Sequence, residues 1–133
     1  MKTNDRRLIV DRSFDCTVET VIDAFLREGL TVTPVEGGDL RQHSAVGDAL
    51  RYAVLEATLP ELGFAVGRRR ADVAPVLSCQ IAVYELVGKC TMVTATSPMA
   101  DRQEFALLVP RLSERVGRAL CTITRARAST HAA

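Results

Sequence analysis

The segment that most constrains the fold is Val76–Pro98, VLSCQIAVYELVGKCTMVTATSP. It contains two runs rich in Val, Ile, Thr and Tyr, Val76–Glu85 and Lys89–Thr96. These residue types suit the pleated surface of a β-strand. Between the runs, Leu86-Val87-Gly88 ends in a glycine, which can take the left-handed conformation that closes a three-residue hairpin loop. The segment is therefore predicted to form the central hairpin of a sheet.

The hairpin is predicted to have one apolar face and one mixed face, because side chains along a strand point alternately to the two sides of a sheet. The predicted loop sets Ile81 opposite Val93 and Cys79 opposite Ala95. The apolar face, which helices should cover, carries Leu77, Cys79, Ile81, Val83, Val93 and Ala95. The mixed face carries Ser78, Gln80, Ala82, Tyr84, Cys90, Met92 and Thr94. A mixed face suits a second protomer, a bound ligand or partial exposure to solvent.

The segments on either side of the hairpin predict further strands and amphipathic helices. The first helix has apolar residues at helical spacing, and Gly29 follows it as a stop signal. The predicted elements are a strand over Leu8–Phe14, a helix capped by Asp15 or Thr17 and reaching Glu28, a strand over Leu30–Val35, a turn at Glu36-Gly37-Gly38-Asp39, a short strand at His43–Val46, a second helix over Ala49–Thr58 capped by Asp48, a short strand at Phe64–Val66, an exposed loop over Gly67–Ala74, a short helix over Asp101–Leu108 and a last helix from Pro110 to about Ile123. The predicted fold class is α+β, a two-layer sandwich in which a mainly antiparallel sheet has helices packed on one face.

The length of 133 residues predicts one domain, with the folded elements over 8–124 and flexible segments over 1–7 and 125–133. The start of the sequence has no apolar run typical of a signal peptide or a membrane span, so a cytoplasmic location is expected by default. The four cysteines lie far apart without a Cys-x-x-Cys pair, which predicts free thiols rather than disulfides.

Charge and composition argue against several classes of partner. The formal net charge is +1 and tryptophan is absent, so neither a basic patch nor a set of stacking platforms favours nucleic acid. Histidines, cysteines and carboxylates show no metal-ligand spacing, and Gly37-Gly38 lacks the pattern of a phosphate-binding loop. No cofactor, metal, nucleic acid or membrane partner is predicted. Arg68-Arg69-Arg70 can bind a phosphate or carboxylate, but a solvated loop is the favoured explanation of the cluster, since Asp72 offsets its charge.

Three segments carry motifs in an order that one protein family shares. Phe14–Leu30 contains an amphipathic helix with a Glu28-Gly29-Leu30 stop. Tyr52–Leu62 looks like an Ala-Leu-Glu-Ala helix followed by a proline-containing turn. Leu77–Glu85, LSCQIAVYE, is similar to a Leu-Pro-Cys-Asn-Val-Val-Val-Tyr-Glu strand, and Thr94–Met99 to a Ser-Ala-x-Asp-Pro-Met strand end. Together these segments resemble the DUF302 domain family, small bacterial and archaeal α+β proteins of unknown function.

The resemblance implies an antiparallel sheet with helices on one face and a tendency to form homodimers. The chain departs from the family pattern at Val46-Gly47-Asp48-Ala49, where many members carry a Cys-Asn-Pro triplet, and at Ser78, which replaces a proline. If a pair of family cysteines does metal or redox work, one of the pair is missing here. A homodimer is also expected because the mixed face of the hairpin is too apolar to remain fully hydrated.

The candidate ligand-binding residues are His43, Tyr52, Cys79, Gln80, Tyr84 and Met92. Gln80, Tyr84 and Met92 share the mixed face, which serves either as the floor of a site for a small apolar ligand or as a dimer interface. Cys79 lies on the predicted core face, where a buried apolar role competes with a reactive one. A reactive thiol needs exposure and a nearby base such as His43. No catalytic residue is predicted.

The sequence leaves three hypotheses for function. The first is a cytoplasmic small-molecule-binding or interaction module. The second is a small cofactor-free enzyme, an isomerase, cyclase or hydrolase, with a site between the sheet and the second helix, where His43, Asp48 or Glu56 would supply acid–base groups. The third is a metal or thiol-redox protein that uses Cys79. Whether the protein is an enzyme is left open.

Overall fold

A computed structural model describes residues 6–39, 50–60, 77–87, 90–97, 99–100 and 103–132 of the chain. In chain order these residues form β1 (Arg6–Val10), α1 (Phe14–Arg27), β2 (Thr31–Asp39), β3 (Arg51–Thr58), β4 (Leu77–Leu86), β5 (Cys90–Ala95), β6 (Met99–Ala100), a 3-10 helix (Gln103–Leu108) and α2 (Val109–Ala132). The predicted strands at His43–Val46 and Phe64–Val66, the cap Asp48 and the loop Gly67–Ala74 lie outside the described residues.

The five longer strands form one antiparallel sheet in the order β1-β5-β4-β3-β2. Strands β2 to β5 are neighbours in chain order, and β1 pairs with β5 at one edge. The two residues of β6 pair with the start of β4. The helices α1 and α2 pack against each other and against one face of this sheet. The predicted fold class, an α+β two-layer sandwich with an antiparallel sheet, is confirmed.

The core lies between the two helices and the sheet face that they cover. All six hairpin residues that were predicted to face the helices are buried. The pairing itself differs from the prediction, since Ile81 lies opposite Ala95 and Val83 opposite Val93. The difference is a shift of two residues, and an even shift leaves every side chain on its predicted face. The alternation of residue types therefore identified the faces even though the predicted loop position was wrong.

The helix α1 begins one turn earlier than predicted. Ser13 is its N-cap, and the Ser13 hydroxyl accepts a hydrogen bond of 3.2 Å from the Cys16 N–H. The residues predicted as caps, Asp15 and Thr17, lie inside the helix instead. Because Ser13 already satisfies one of the free N–H groups at the helix start, a later cap is not needed. The strand before the helix accordingly ends at Val10 and not at Phe14.

The end of α1 is a Schellman motif at the predicted stop. The Leu30 N–H donates to the Phe25 carbonyl at 3.2 Å, and the Gly29 N–H donates to the Leu26 carbonyl at 2.9 Å. Gly29 has a φ of 78°, in the left-handed region that a side chain disfavours. The glycine therefore turns the chain from α1 into β2.

The largest departure from prediction is the segment Arg51–Thr58, which is the strand β3 and not a helix. The spacing of Leu50, Val54 and Ala57 fits a helix, but the alternation of Ala53, Leu55 and Ala57 fits a strand equally well. Periodicity does not separate these readings in a short apolar run. Hydrogen bonding to β2 on one side and to β4 on the other makes this segment a strand. The likeness of Tyr52–Leu62 to a family helix was therefore wrong.

The strand β2 is longer than predicted and continues through the segment that was predicted to turn. Gly37 and Gly38 pair with Ala53 and Tyr52 of β3. An irregularity between Pro34 and Glu36 accommodates the proline, which has no N–H to donate. β2 is also an edge strand, where proline is tolerated. The two glycines are thus strand residues rather than turn residues.

The C-terminal helix α2 begins at Val109, one residue before the predicted start, and reaches Ala132, well beyond Ile123. The short helix predicted before it is a 3-10 helix over Gln103–Leu108. The predicted bounds of the domain, with flexible segments over 1–7 and 125–133, stay predictions.

Candidate functional site

The candidate site is the sheet face opposite the helices, which we call the open face. Its residues come from alternate positions on all five long strands, and they are half-buried or exposed. They are Arg7 and Ile9 of β1, Met92 and Thr94 of β5, Ser78, Gln80, Ala82 and Tyr84 of β4, Tyr52, Val54 and Glu56 of β3, and Thr31, Thr33, Glu36 and Gly38 of β2. None of the described helices covers this face.

A row of apolar and aromatic residues crosses the open face. Ile9 lies opposite Met92, Met92 opposite Tyr84, and Tyr84 opposite Tyr52. Directly opposed side chains on antiparallel strands are within contact distance, and four strands span about 14 Å. We call this row the apolar strip. Ile9, at the outer end of the strip, is 46% exposed. The strip therefore offers a continuous apolar surface to solvent or to a partner.

The neighbouring row of the open face has charges of opposite sign at its two ends. Arg7 lies opposite Thr94, Thr94 opposite Ala82, Ala82 opposite Val54, and Val54 opposite Glu36. The three residues in the middle are small or apolar. Arg7 and Glu36 stand on the two edge strands, about 19 Å apart, so they cannot pair within one chain.

At the β2 end of the apolar strip, Tyr52 is fixed by Glu36 and Gly38. The Tyr52 hydroxyl donates a hydrogen bond of 2.9 Å to Oε2 of Glu36. This bond, together with partial desolvation and the nearby negative charge, raises the pKa of Tyr52 above its ordinary value. A Cβ at Gly38 would come within 3.2 Å of the Tyr52 ring, so the missing side chain makes room for the ring. Gly38 therefore shapes the surface instead of forming the predicted turn.

Gln80 lies on the open face but two rows away from the apolar strip. Its side chain is exposed, and Glu56 stands opposite it on β3. Its backbone is fixed by Thr96, because the Gln80 N–H donates to the Thr96 hydroxyl and the Thr96 N–H donates to the Gln80 carbonyl, both at 3.0 Å. Among the candidate residues, Tyr52, Tyr84 and Met92 are therefore direct neighbours, while Gln80 belongs to a separate polar end of the face.

Cys79 lies on the opposite side of the sheet from the other candidates. It is 0% exposed, and its thiol lies 3.1 Å from the Thr96 carbonyl oxygen. A nucleophilic, metal-binding or redox thiol needs access and a stabilised thiolate, whereas this one is enclosed and donates to a neutral acceptor. Cys16 and Cys121 are exposed and Cys90 is half-buried, and none of the four described cysteines is in a disulfide.

In the enzyme hypothesis, the site lies between the sheet and a helix over Ala49–Thr58. The prediction of that helix is wrong, because Arg51–Thr58 is the strand β3. Glu56 lies on the open face beside Gln80 and is not in a cleft between layers. The other proposed acid–base residues, His43 and Asp48, lie outside the described residues. So does the cluster Arg68-Arg69-Arg70. Pairing of Cys79 with His43 stays a prediction.

Arg51 has several partners, and its contacts tie β3 to β4 and α1. Its Nε lies 3.1 Å from Oε1 of Glu85, and its Nη1 lies 3.4 Å from Oδ1 of Asp15. Its guanidinium carbon lies 4.7 Å from the centre of the Phe14 ring. The hydrogen bonds to Glu85, together with the two negative charges, raise the pKa of Arg51. These contacts hold the start of β3 against β4 and α1, which is a structural role.

Among the residues that the structure describes, no group of three or more His, Cys, Asp or Glu side chains lies close enough together to hold a metal ion. None of the helices in this part of the chain is both long and apolar enough to cross a membrane.

The fold is similar to a solved structure, the crystal structure of an uncharacterized conserved protein, DUF302, from Bacillus stearothermophilus. The TM-score is 0.64 and the sequence identity is 17%, over 90% of this chain and 97% of that chain. The fold is DUF302-like. The resemblance found in the sequence is thus confirmed at the level of the fold, and an identity this low carries no activity across. No family model matches the chain, and no curated protein matches it.

The DUF302-like sheet brings together residues that the sequence alone did not join. Arg7, Ile9 and Glu36 stand on the open face but were not predicted as site residues. In Arg6–Val10, the alternation of Arg7 and Ile9 with Leu8 and Val10 was the available signal. Residues 1–7 were instead predicted to be a flexible segment, and Glu36 was predicted to lie in a turn.

Proposed function

We propose that this protein is a small binding module that acts as a homodimer, with the open face as its interface. The apolar strip supports this proposal, since a row of Ile, Met and Tyr side chains that are exposed or only half-buried on a sheet face is typical of surfaces that meet a partner. Of the described residues that the enzyme or redox hypotheses would use, Cys79 is buried on the other side of the sheet and Glu56 lies beside Gln80 on this face.

The observation that carries the proposal is the arrangement of charges about β4, the middle strand of the five. A twofold axis that runs along β4, in the plane between two facing sheets, would lay β1 of one subunit over β2 of the other. Arg7 would then face Glu36 of the partner subunit, because both residues belong to the same cross-strand row. The same surface serves both subunits, as a twofold interface requires.

The same operation also matches the apolar strip to itself. Ile9 would lie over Gly38 of the partner subunit, and Met92 beside Tyr52 of the partner subunit. Tyr84 would meet its own copy at the axis. Ile9 would thus meet the Tyr52 ring of the partner subunit, which occupies the space over Gly38. Facing sheets pack about 10 Å apart with strands within about 30° of each other, so long side chains such as Arg7 and Glu36 can reach across.

A charge-reversal cycle tests this arrangement. The dissociation constant of the dimer is measured by sedimentation equilibrium for the wild type, Arg7→Glu, Glu36→Arg and the double variant. Each single change opposes like charges across the interface and is expected to weaken the dimer, while the double change restores opposite charges and is expected to recover most of the affinity. Glu19→Arg, an exposed position on α1, is the matched control and should leave the dimer unchanged.

Two results would overturn the proposal. A wild-type protein that remains monomeric over the accessible concentration range removes the homodimer. A dimer in which both single variants associate like the wild type places the interface elsewhere. Because Arg7 and Glu36 are too far apart to pair within one chain, recovery in the double variant can only arise between subunits. The cytoplasmic location and the bacterial origin expected from the sequence remain parts of the proposal that this cycle does not address.

A further inference from the structure

A groove on the helix side of the sheet has features that the proposed dimer does not use. It lies between the edge strand β1 and the C-terminal half of α2, and the part that contains Leu8 and Leu120 has a volume of about 370 Å³. That volume is within the usual range for small-molecule sites, about 300–1,000 Å³. Leu8, on the helix side of β1, and Leu120 of α2 are among its lining residues. The groove therefore stays uncovered when two open faces meet.

The floor of the groove is apolar and its rim is cationic. Leu8, Leu120 and Cys121 supply the floor, and Leu120 is 6% exposed at the edge of the core. Arg6 and Arg125 stand at the rim. Within the described part of the chain, neither guanidinium has a hydrogen-bond or salt-bridge partner. An anionic group at this rim would therefore meet two positive charges that are not paired with a described carboxylate.

In the adjoining part of the groove, Arg118 is paired with carboxylates of the same chain. That part encloses about 500 Å³ and is lined by Glu28, Glu114 and Arg118 as well as by Arg6. Arg118 donates to Glu28 at 2.7 Å and lies 3.4 Å from Glu114. These contacts raise the pKa of Arg118, with the hydrogen bond to Glu28 as the main cause. Among the described residues, Arg118 therefore has two carboxylate partners and Arg6 has none within salt-bridge distance.

Gly117 gives a second sign that Arg6 is held in place over the groove. A Cβ at Gly117 would come within 3.0 Å of Nη1 of Arg6, so the guanidinium lies directly against the backbone of α2. A glycine inside a helix is unfavourable relative to alanine. At this position the missing side chain makes room for the cation.

We propose that this groove binds an amphiphile with an oxyanion head, with the head on Arg6 and Arg125 and the apolar body along Leu8 and Leu120. A guanidinium offers two parallel N–H donors that match a carboxylate or a phosphate, so the head chemistry is shared by fatty acids and by alkyl phosphates. The apolar floor selects a ligand that carries a hydrocarbon body over a free anion such as acetate.

Cys121 provides a readout at the groove itself. Its exposed thiol is alkylated by iodoacetamide, and the rate is followed by mass spectrometry with and without decanoate or decyl phosphate. Cys16, exposed on α1 away from the groove, is the internal control in the same molecule. Either amphiphile is expected to slow alkylation of Cys121 several-fold and to leave Cys16 unchanged. Decanol and acetate, which each lack one half of the ligand, should give little protection at the same concentration.

Variants then separate the specific site from general charge effects. Arg6→Gln and Arg125→Gln are each expected to weaken protection of Cys121 about tenfold, since each removes a charge-assisted hydrogen bond. Arg27→Gln, which removes the same charge from an exposed ion pair on α1, should leave protection unchanged. Gly117→Ala is expected to weaken protection by displacing the Arg6 guanidinium, without lowering the melting temperature.

Three results would overturn the proposal. They are that neither amphiphile slows alkylation of Cys121, that decanol protects as well as decanoate, and that Arg27→Gln weakens protection as much as Arg6→Gln does. The first result would show that no amphiphile binds beside Cys121. The second would show that the arginines at the rim do not contribute to binding, and the third that protection depends on the net charge of the protein. The result is independent of the charge-reversal cycle, because none of these substitutions lies on the open face.

Discussion

Replacing Thr17 with valine is expected to stabilise the protein. Thr17 lies in the first turn of α1, is 0% exposed, and its hydroxyl has no hydrogen-bond partner among the described residues. Burying an unpaired hydroxyl costs about 1–3 kcal/mol. Valine has the same shape and a similar helix propensity, so the substitution removes that cost without opening a cavity. The free energy of unfolding should therefore rise by about 1–2 kcal/mol, or about 3–6 °C in melting temperature for a chain of this size.

Urea denaturation followed by circular dichroism measures the change, with the midpoint expected to rise and the slope to stay constant. Two neighbouring substitutions serve as controls. Thr20→Val removes a hydroxyl that is already satisfied, since it donates to the Cys16 carbonyl at 2.9 Å and accepts from Nη1 of Arg12 at 3.3 Å, so no gain is expected. Thr17→Ser keeps the unpaired hydroxyl and removes a buried methyl group, so it should destabilise the fold by about 1 kcal/mol.

The reasoning is refuted if Thr17→Val is no more stable than the wild type. Such a result would mean that the hydroxyl is satisfied in solution, so that valine loses a hydrogen bond instead of removing an unpaired group. A gain of similar size in Thr20→Val would also refute it, because the effect would then come from valine in α1 and not from the orphaned hydroxyl.

Two further predictions follow from single residues. Gly29→Ala should lower the free energy of unfolding by about 1 kcal/mol, because alanine disfavours the left-handed conformation of this helix end, and an unchanged denaturation midpoint would contradict that conformation. Tyr52 should ionise above the usual tyrosine pKa of about 10, and Glu36→Gln should lower its pKa towards that value, as measured by the ultraviolet absorbance of tyrosinate in a Tyr84→Phe background. Since the raised folded-state pKa favours the neutral phenol, the stability that this bond adds is complete below about pH 10 and is lost as the pH rises through the folded pKa. Equal Tyr52 titrations with and without Glu36 would count against the bond.

The sequence predicted the layers of the fold better than the pairing within them. Alternation in the hairpin identified both faces, because burial acts on every second residue and is indifferent to an even shift in register. The loop position depended on a local preference for glycine, which is weaker than the packing of Val83 opposite Val93. For Arg51–Thr58, helix and strand patterns coexist, and only the strands on either side decide between them.

The same limit explains which parts of the candidate site were predicted. Tyr84 and Met92 lie on one hairpin, so their shared face followed from local alternation. Tyr52 joins them only because β3 pairs with β4, a contact between distant segments. If Tyr52 were in a helix, it would not lie opposite Tyr84 and Gly38. The apolar strip therefore depends on Arg51–Thr58 being a strand, which local periodicity did not predict.

The strand β1 connects the two proposed surfaces. Its sequence, Arg-Arg-Leu-Ile-Val, places Arg6 and Leu8 on the groove side and Arg7 and Ile9 on the open face. Each side thus receives one arginine followed by one aliphatic residue, the combination that each proposal requires. Any displacement of β1 would move both pairs together, because they belong to one short edge strand. A ligand that displaced β1 would therefore change the affinity of the dimer as well, and such linkage would act equally in both directions.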